Sequence, residues 1–385
     1  MKSSSLRQLV AISLLATTSV FSPLAHAQSD CAPLFFNPQD KYPHNTARPA
    51  DMHRALAPAT PLPEVNYKPR DDTGASTLEG YLGKFCTTGM LVLKRDEVVF
   101  ERYLQGRKPG DSLLSASMSK TILALLIGIA ISEEKLALTE RVVDVLPDFK
   151  DSAFANATVE DLLRMSSGAK LDNSYAPGSE SDNRATNPIA APSQDVRAFL
   201  RQKTKVASPP GSKFDYNGAQ SALLGAMLRQ RVHSDLTSYL EDKLWRPMGA
   251  ESKAYWIKNY HEEEGVQGQF SATLRDYARL GLLVMERGSV NGTSVVPAAW
   301  IDRMVELRRD KAQPASAPFY GLHVWIPELA GGRSFFWGTN GQNIFIDPIA
   351  KVVIVHTGNS PNAGFNGNSH LFPLRDAIVK TLSQR

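Results

Sequence analysis

A serine and a lysine three residues apart have the types and the spacing for nucleophilic catalysis. Ser117 and Lys120 stand directly before residues 122–131, a run of ten without a charge or a hydroxyl group. On a helix, positions i and i+3 lie on one face. A serine hydroxyl becomes a nucleophile when a neighbouring base takes its proton, and a lysine amine can be that base when burial lowers its pKa. The apolar run supplies such burial, and free N–H groups at a helix N-terminus favour an oxyanion.

The Ser-x-x-Lys pattern by itself is weak, because it occurs three times in this chain. Ser132 with Lys135 is typical of an exposed helix end, and Ser167 with Lys170 is typical of a turn. Only Ser117 opens a run that is apolar all round, which predicts a helix buried on every side. An N-capping serine beside a solvated first-turn lysine is the alternative interpretation of this motif.

A second stretch places a tyrosine where a helix is predicted to begin. Residues 209–221 open with a Pro-Pro-Gly turn and lead to Tyr216 just before a helical pattern. A phenol beside a cation can pass a proton between a nucleophile and a leaving group. Taken alone, Tyr216 is more simply explained as an ordinary aromatic residue at a helix entry.

The pattern of apolar residues predicts the elements that position these side chains. Residues 28–74 are rich in proline and indicate an extension laid over the surface. Residues 75–134 and 265–385 contain a predicted β-hairpin, the apolar helix and several antiparallel strands, whereas residues 135–264 are helix-rich with polar loops. Strands at both ends with helices between them predict an α+β fold, an antiparallel sheet flanked by helices with an inserted helical domain.

The N-terminus has the composition of a secretory signal. Lys2 and Arg7 precede a mostly apolar stretch, and residues 25–27 form a small-x-small cleavage site. Residues 1–27 are therefore predicted to be a signal peptide, and the mature protein is expected in the periplasm or secreted, without stable membrane insertion. Removing Lys2 and Arg7 leaves 41 basic against 39 acidic residues, and no basic block indicates nucleic-acid binding.

Two cysteines remain, Cys31 and Cys86, and an exported protein meets an oxidising compartment. A disulfide between them would tie the N-terminal extension to the body and would contribute about 4 kcal/mol in the chain-entropy model. Two free thiols are the alternative. A catalytic cysteine is not expected, because no histidine pattern accompanies either residue.

Several other chemistries lack their sequence signatures. The chain has no Gly-x-Ser-x-Gly elbow and no phosphate-cradling glycine loop with Lys and Ser or Thr. The eight histidines are scattered, with none at zinc-ligand spacing, so no metal and no cofactor is predicted. His323 and His356 fall in predicted strands, residues 320–326 and 351–356, and we interpret them as structural rather than catalytic.

Five short motifs occur in a fixed order between residue 78 and the C-terminus. They are Ser-Met-Ser-Lys at 117–120, Asp-Leu-Leu-Arg-Met-Ser-Ser-Gly at 161–168, Pro-Gly at 210–211 with Tyr-Asn at 216–217, Arg-Asp-Tyr-Ala-Arg-Leu-Gly at 275–281, and Trp-Gly-Thr-Asn-Gly-Gln-Asn at 337–343. In this order they resemble the serine hydrolases of the β-lactamase-related and penicillin-binding group. The chain is more similar to the class C, esterase and 6-aminohexanoate-dimer hydrolase branch than to true β-lactamases.

The resemblance implies a β-lactamase-like fold and roles for individual residues. Ser117 would form the acyl-enzyme. Lys120 would be its base, or the charge that holds Tyr216 as a base, and Tyr216 would deliver a proton to the leaving group. The backbone N–H groups of Ser117 and Thr339 would form the oxyanion hole. The residues implied in substrate binding are Tyr175, Asn217, Trp337, Gly338 and Asn340.

Two departures from the family pattern affect the expected activity. Many relatives carry Tyr-x-Asn or Tyr-x-Ser, whereas Gly218 stands at the third position here. A polar side chain that supports the lysine must therefore come from Asn217 or Gln220, or be absent. The last motif has Trp337 where β-lactamases and penicillin-binding proteins carry the lysine of Lys-Thr-Gly, which argues against strong β-lactamase or peptidase activity.

The sequence thus predicts an exported serine hydrolase that cleaves a small ester or amide through an acyl-enzyme on Ser117. A D-amino-acid peptidase or weak β-lactamase acting on peptidoglycan-like substrates is one alternative. A catalytically silent binding protein with this fold is another. The substrate itself and the oligomeric state stay open.

Overall fold

The computed structural model describes Cys31 and residues 37–71, 73–174, 181–327, 331–360 and 367–384. The predicted signal peptide and Tyr175 lie outside the described residues. The strands are β1 (His44–Ala47), β2 (Ala57–Pro58), β3 (Asn66–Tyr67), β4 (Ser76–Thr77), β5 (Thr87–Lys94), β6 (Glu97–Tyr103), β7 (Leu113–Leu114), β8 (Ala254–Ile257), β9 (Phe270–Ala272), β10 (Ser289–Val290), β11 (Thr293–Ser294), β12 (Phe319–Tyr320), β13 (Trp325–Ile326), β14 (Ser334–Trp337), β15 (Asn343–Asp347) and β16 (Val352–Gly358). The α-helices are α1 (Leu78–Lys84), α2 (Met118–Ser132), α3 (Val142–Val145), α4 (Val159–Leu163), α5 (Asp182–Ala185), α6 (Val196–Arg201), α7 (Gly218–Val232), α8 (Leu236–Leu240), α9 (Leu274–Met285), α10 (Ala298–Met304) and α11 (Asn368–Ser383).

An eight-stranded sheet with the order β12-β13-β14-β15-β16-β5-β6-β2 forms the centre of the molecule. Its neighbouring strands are antiparallel, apart from β2 and β6, which run parallel. Side chains alternate between the two faces of a strand. Leu91 and Leu93 of β5 join a hydrophobic cluster with α2 and α9, whereas Met90 and Val92 join a second cluster with α1 and α11. Helices therefore cover both faces of an antiparallel sheet, which confirms the predicted α+β fold class.

Helices α3–α8 occupy the stretch that was predicted to be a helical insertion, and the limits of that domain stay a prediction. Strand β8 lies in the same stretch and was not predicted, because four residues are too few for a clear alternating pattern. It belongs to a second sheet with the order β1-β8-β9-β7. Ser115, directly after β7, donates its N–H to the Phe270 carbonyl oxygen at 2.8 Å. This sheet brings residues 267–270 beside the segment that leads to Ser117.

The proline-rich extension contributes short strands to three sheets, and its limits stay a prediction. Strand β1 pairs with β8, β2 pairs with β6, and β3 pairs with β4. Short strands at sheet edges tolerate proline, because an edge leaves some N–H positions unpaired. Cys31 and Cys86 form a disulfide across a separation of 55 residues, which joins the extension to the start of β5.

The predicted strand over residues 320–326 is also corrected. It is divided into β12 and β13 by a turn in which His323 has a φ of 54°. A positive φ is incompatible with a continuous strand. His323 is therefore a buried turn residue rather than a strand residue.

Helix α2 crosses the core, as the apolar run predicts. All residues from Met118 to Ala130 are buried. Trp300 of α10 packs across the helix at Gly128, where a Cβ would overlap the indole ring, and its Nε1 donates to the Ala124 carbonyl oxygen at 3.0 Å. Within the described residues, α2 and the other helices lack the length and hydropathy that a membrane crossing needs.

We expect Gly128→Ala to destabilise the protein by about 1–3 kcal/mol, the usual range for overpacking a core, because the new methyl group must displace the Trp300 indole. Gly83→Ala is the matched control, since a Cβ at this position of α1 would meet no heavy atom within 4 Å. Helix propensity makes that change neutral or stabilising. Urea denaturation measures both variants, and equal stability of Gly128→Ala and the wild type would contradict the packing of Trp300 against α2.

Candidate active site

Ser117 and Lys120 are in contact at the first turn of α2. Lys120 Nζ lies 2.9 Å from Ser117 Oγ and 2.5 Å from the Gln267 carbonyl oxygen. Ser117 is the N-cap residue of α2 and is partly exposed, whereas Lys120 is only 3% exposed. The hydroxyl group is therefore accessible while the amine beside it is enclosed by protein.

Burial sets the charge state of the lysine. It lowers the pKa of Lys120 from 10.5 to about 7, because the ammonium form loses its hydration in the protein interior. No carboxylate among the described residues counteracts this shift. Near neutral pH a large fraction of Lys120 is thus a neutral amine, the form that can accept the Ser117 proton.

The other two Ser-x-x-Lys patterns do not form such a pair. Ser132 Oγ donates to the Ile129 carbonyl oxygen at 2.7 Å, and Lys135 pairs with Glu133 at 2.7 Å. In the third pattern, residues 167–170, the lysine is exposed to solvent. Of the three patterns, the first is the one in which the structure brings a serine and a lysine into contact.

Tyr216 lies against the lysine from the loop before α7. Lys120 Nζ is 5.2 Å from the centroid of the Tyr216 ring. The same ring packs against Tyr320 and Trp325, with centroid distances of 5.8 Å and 5.4 Å. The structure therefore brings together the three residues that the sequence singled out for catalysis, Ser117, Lys120 and Tyr216.

Asn217 and Gln220, the side chains that the sequence offered as supports for the lysine, make their hydrogen bonds elsewhere. Gln220 donates to the Asp215 carbonyl oxygen at 2.6 Å and accepts the Ser167 N–H at 2.9 Å, which fixes the loop before α7. Asn217 is completely buried and caps α7 by accepting the Ala219 N–H at 2.8 Å. Asn217 thus shapes the start of the helix, and the structure does not bring its side chain to a surface that a substrate can reach.

Gln267 provides the support that the sequence analysis missed. Its carbonyl oxygen accepts the hydrogen bond from Lys120, and its side chain fills the space beside Gly218, where a Cβ would overlap Gln267 Oε1. Asn183 completes this contact, because its Oδ1 accepts the Gly218 N–H at 2.7 Å and its carbonyl oxygen accepts Gln267 Nε2 at 3.1 Å. In the sequence, Gly218 indicated that the usual polar side chain at this position is absent. It did not indicate that Gln267 fills the space.

The end of β14 packs closely against the segment that precedes Ser117. A Cβ at Gly338 would lie 2.6 Å from the Ser115 carbonyl oxygen and 2.9 Å from Ala116 Cβ. Among the described residues, no backbone acceptor is found for the N–H groups of Ser117 and Thr339. Two N–H donors on adjacent segments are what an oxyanion hole requires.

A cavity of about 200 Å³ lies beside these donors and is lined in part by Thr339 and Asn340. Asn340 has a left-handed backbone conformation, with φ 64°. Trp337 does not line this cavity. It is half-buried, and its ring centroid lies 5.2 Å from that of Trp325. The structure thus puts Asn340 at the cavity, Gly338 against the segment before Ser117 and Trp337 in the aromatic cluster. A larger cavity of about 450 Å³ between α6 and α7 includes none of the catalytic candidates.

Two buried histidines connect protein segments near the site by hydrogen bonds. His323 Nδ1 donates to the Leu163 carbonyl oxygen at 2.8 Å and its Nε2 accepts from Ser221 Oγ at 2.9 Å. His356 Nδ1 donates to the Gly341 carbonyl oxygen at 2.6 Å, which holds the turn after Thr339. Burial lowers the pKa of His323 to about 3 and that of His356 to about 4. Both imidazoles are neutral at pH 7 and bridge protein groups, which agrees with their structural interpretation.

The lowered pKa of Lys120 predicts how activity depends on pH. Only the neutral amine accepts a proton, so kcat/KM for a small ester should rise with pH through an apparent pKa of about 7 and level off above it. A lysine of ordinary pKa would place this rise near pH 10.4. Initial rates across a series of constant-ionic-strength buffers measure the profile. A rate that does not change from about pH 6 to about pH 9 would exclude Lys120 as the base.

Gly338→Ala tests the approach of β14 to the segment before Ser117. The added methyl group must push the two segments apart and so misplace the Thr339 N–H. We expect kcat to fall by about 10²–10³, as for the loss of one oxyanion donor, and the thermal midpoint to fall as well, because the backbone of Ser115 must shift. Gly83→Ala again serves as the control. Unchanged kcat in a folded Gly338→Ala protein would show that Thr339 does not bind the oxyanion.

The chain has relatives among known proteins. The Beta-lactamase family model matches residues 78–371. The 6-aminohexanoate-dimer hydrolase of Paenarthrobacter ureafaciens is 25% identical over 338 residues, which cover 85% of this chain and 86% of that protein.

Solved structures have the same fold. A Bacillus anthracis protein provisionally named a 6-aminohexanoate-dimer hydrolase superposes with a TM-score of 0.80 at 22% identity, covering 90% of this chain and 92% of its own. A family VIII carboxylesterase superposes with a TM-score of 0.61 at 15% identity, covering 78% of this chain and 93% of its own. These likenesses show a shared β-lactamase-like fold. Because the family model also spans most of the sequence, this chain belongs to the beta-lactamase family of serine hydrolases.

Proposed function

We propose that this protein is an exported serine hydrolase that cleaves a small ester or amide through an acyl-enzyme on Ser117. The observation that carries the proposal is the 2.9 Å contact between Ser117 Oγ and the enclosed amine of Lys120. A lysine whose pKa is about 7 can take a proton near neutral pH, whereas an exposed lysine with a pKa of about 10.4 stays charged.

Acylation begins when Lys120 takes the Ser117 proton and Oγ forms a bond to the carbonyl carbon of the substrate. The carbonyl oxygen becomes an oxyanion that accepts hydrogen bonds from the N–H groups of Ser117 and Thr339. The bond to the leaving alkoxide or amine then breaks, and the proton on Lys120 passes to that group directly or through the Tyr216 hydroxyl. Water next adds to the acyl carbonyl and gives its proton to the same base. The bond between Ser117 Oγ and the acyl carbon then breaks, the base returns the proton to Oγ, and the carboxylic acid leaves.

The substrate class is proposed from the relatives and from the charges at the site. One sequence relative is a 6-aminohexanoate-dimer hydrolase and one structural neighbour is a carboxylesterase, so both amides and esters are candidates. Trp337 stands at the end of β14 where a penicillin-binding protein carries a lysine, which argues against strong activity on β-lactams. Export is supported by the signal-like N-terminus and by the disulfide of Cys31 with Cys86, since disulfides persist in oxidising compartments.

A fluorophosphonate should add once to the wild-type protein, at Ser117, and Ser117→Ala should remove the adduct, because the probe reacts with an activated serine hydroxyl. Ser119→Ala is the matched control. Ser119 lies on the same turn but is fully buried, and its Oγ has no hydrogen-bond partner among the described residues. Intact-mass spectrometry detects the adduct in each variant, and peptide mapping locates it.

Folded wild-type protein without an adduct would exclude the acyl-enzyme and favour the catalytically silent binding protein. Turnover of 4-nitrophenyl esters and of linear amides, compared with nitrocefin and D-alanyl-D-alanine peptides, then assigns the class. Faster turnover of nitrocefin or the peptides would replace the ester or amide proposal with the β-lactamase or peptidase alternative.

A further inference from the structure

Three partly exposed aromatic rings follow one another beside the catalytic candidates. The ring centroids of Tyr216 and Trp325 are 5.4 Å apart, and those of Trp325 and Trp337 are 5.2 Å apart. These rings pack on Tyr320 and Phe335, which are each only 1% exposed. The buried rings thus support the outer three from the protein side. We call the outer surface, made by Tyr216, Trp325 and Trp337, the aromatic wall.

Both ends of the aromatic wall are joined to the nucleophile by direct contacts. At one end, the centroid of the Tyr216 ring is 5.2 Å from Lys120 Nζ, which lies 2.9 Å from Ser117 Oγ. At the other end, Trp337 directly precedes Gly338, whose backbone packs against the segment before the nucleophile. The aromatic wall is therefore continuous with the catalytic candidates.

The path of the proton determines which part of a substrate meets this wall. In the proposed acylation the leaving atom receives the proton of Lys120 directly or through the Tyr216 hydroxyl, so it must lie within hydrogen-bond reach of one of these groups. Both groups are at the Tyr216 end of the wall. A substituent on the leaving atom therefore begins beside the first ring, whereas the acyl substituent lies on the other side of the bond that breaks.

The composition of the wall favours a flat ring as its ligand. Aromatic pairs prefer offset or edge-to-face arrangements with centroids about 4.5–7 Å apart, and such a pair stabilises a complex beyond the effect of its buried area. Phe214 is also partly exposed and extends the surface, with its centroid 6.4 Å from that of Trp325. A ligand ring on the wall can therefore contact more than one aromatic side chain.

The charges around the wall favour an uncharged ligand, although aromatic rings also attract cations. A cation held at Tyr216 would face Lys120 and oppose the ammonium form that carries the proton during catalysis. Beyond the other end, the Phe372 ring lies 5.7 Å from that of Trp337 and has the guanidinium carbon of Arg375 4.9 Å from its centroid. Basic groups thus flank the wall on both sides and disfavour an ammonium ligand.

On the basis of the acyl-enzyme proposed above, we propose that the aromatic wall binds the leaving group of the substrate. The preferred substrates are then esters or amides whose leaving alcohol or amine carries an aromatic ring. Ser117 Oγ bonds to the carbonyl carbon, and the bond to the leaving group breaks. The proton that Lys120 took from Ser117 goes to that group, which departs as an aryl-substituted alcohol or amine. The acyl part stays on Ser117 until water releases it as the acid.

Four esters test this assignment. Benzyl acetate and methyl phenylacetate are isomers that carry the same ring on the leaving side and on the acyl side, and cyclohexylmethyl acetate and methyl cyclohexylacetate are their saturated counterparts. For the wild type we expect kcat/KM for benzyl acetate to exceed that for cyclohexylmethyl acetate by about three- to tenfold, the effect of one aromatic pair. The corresponding ratio on the acyl side should be close to one. Acid release in a pH-stat gives the rates.

Two variants of the wall and one control refine the test. Trp325→Leu should bring the leaving-side ratio close to one, because it removes the middle ring. Trp325→Phe keeps a ring and should keep most of the preference, which separates the loss of the ring from a loss of packing on Tyr320. Phe100→Leu is the matched control, since Phe100 is likewise partly exposed but lies on β6, four strands from β14 in the sheet. It should leave the ratio unchanged.

Three results would overturn the inference. They are a leaving-side ratio of one or less in the wild type, a larger ratio on the acyl side, and a leaving-side ratio that Trp325→Leu does not change. Faster turnover of the acetate ester of choline than of benzyl acetate, once each rate is divided by the rate of hydrolysis by hydroxide, would also overturn it. That result would indicate a cation site.

If no ester turns over, ligand binding tests the wall independently of catalysis. In Ser117→Ala, saturation-transfer NMR with N-benzylacetamide should show transfer to the ring protons of the ligand. Adding Trp325→Leu should remove the transfer, and adding Phe100→Leu should not. That result would keep the aromatic site although the proposed hydrolase fails, whereas absence of transfer in Ser117→Ala would exclude the aromatic site.

Discussion

The burial of one amine at the end of one helix is the constraint on which the site depends. The pKa of Lys120 falls to about 7 because water is excluded around its amine, and water is excluded because α2 is buried on every side. A buried polar group is unfavourable unless it is hydrogen-bonded. The bonds of Lys120 to Ser117 Oγ and to the Gln267 carbonyl oxygen meet this requirement. The helix thus places an amine of lowered pKa at a turn where the hydroxyl group of Ser117 is still partly exposed.

Two glycines allow distant segments to meet around the Lys120 amine. They do so because they lack a Cβ, not because their backbone angles are unusual. Gly218 leaves room for the side chain of Gln267, and Gly338 lets the end of β14 lie against Ala116. Gly338 has a φ of −118°, which any residue can adopt. A methyl group at Gly218 would overlap Gln267 and so disturb Lys120. A methyl group at Gly338 would overlap Ala116 and so displace the neighbouring Thr339 N–H.

Local patterns predicted the parts of the structure that local physics decides. Helix α2 follows from the apolar run, and the strand predicted over residues 351–356 is found as β16, Val352–Gly358. The break at His323 was missed, because a positive φ in a turn leaves no mark in an alternating pattern. The contact of Gly218 with Gln267 could not be predicted, since it depends on how β9 and α7 are packed. Ser117, Lys120 and Tyr216 were identified because several motifs occur in order, although each alone has a simpler explanation.

The same constraint governs where a charged substrate can bind. With a neutral lysine, a catalytic centre at this position would stabilise an oxyanion by N–H dipoles and by the N-terminus of α2 rather than by a fixed cation. A carboxylate bound next to Lys120 would favour the ammonium form, raise the pKa of the amine and weaken the base.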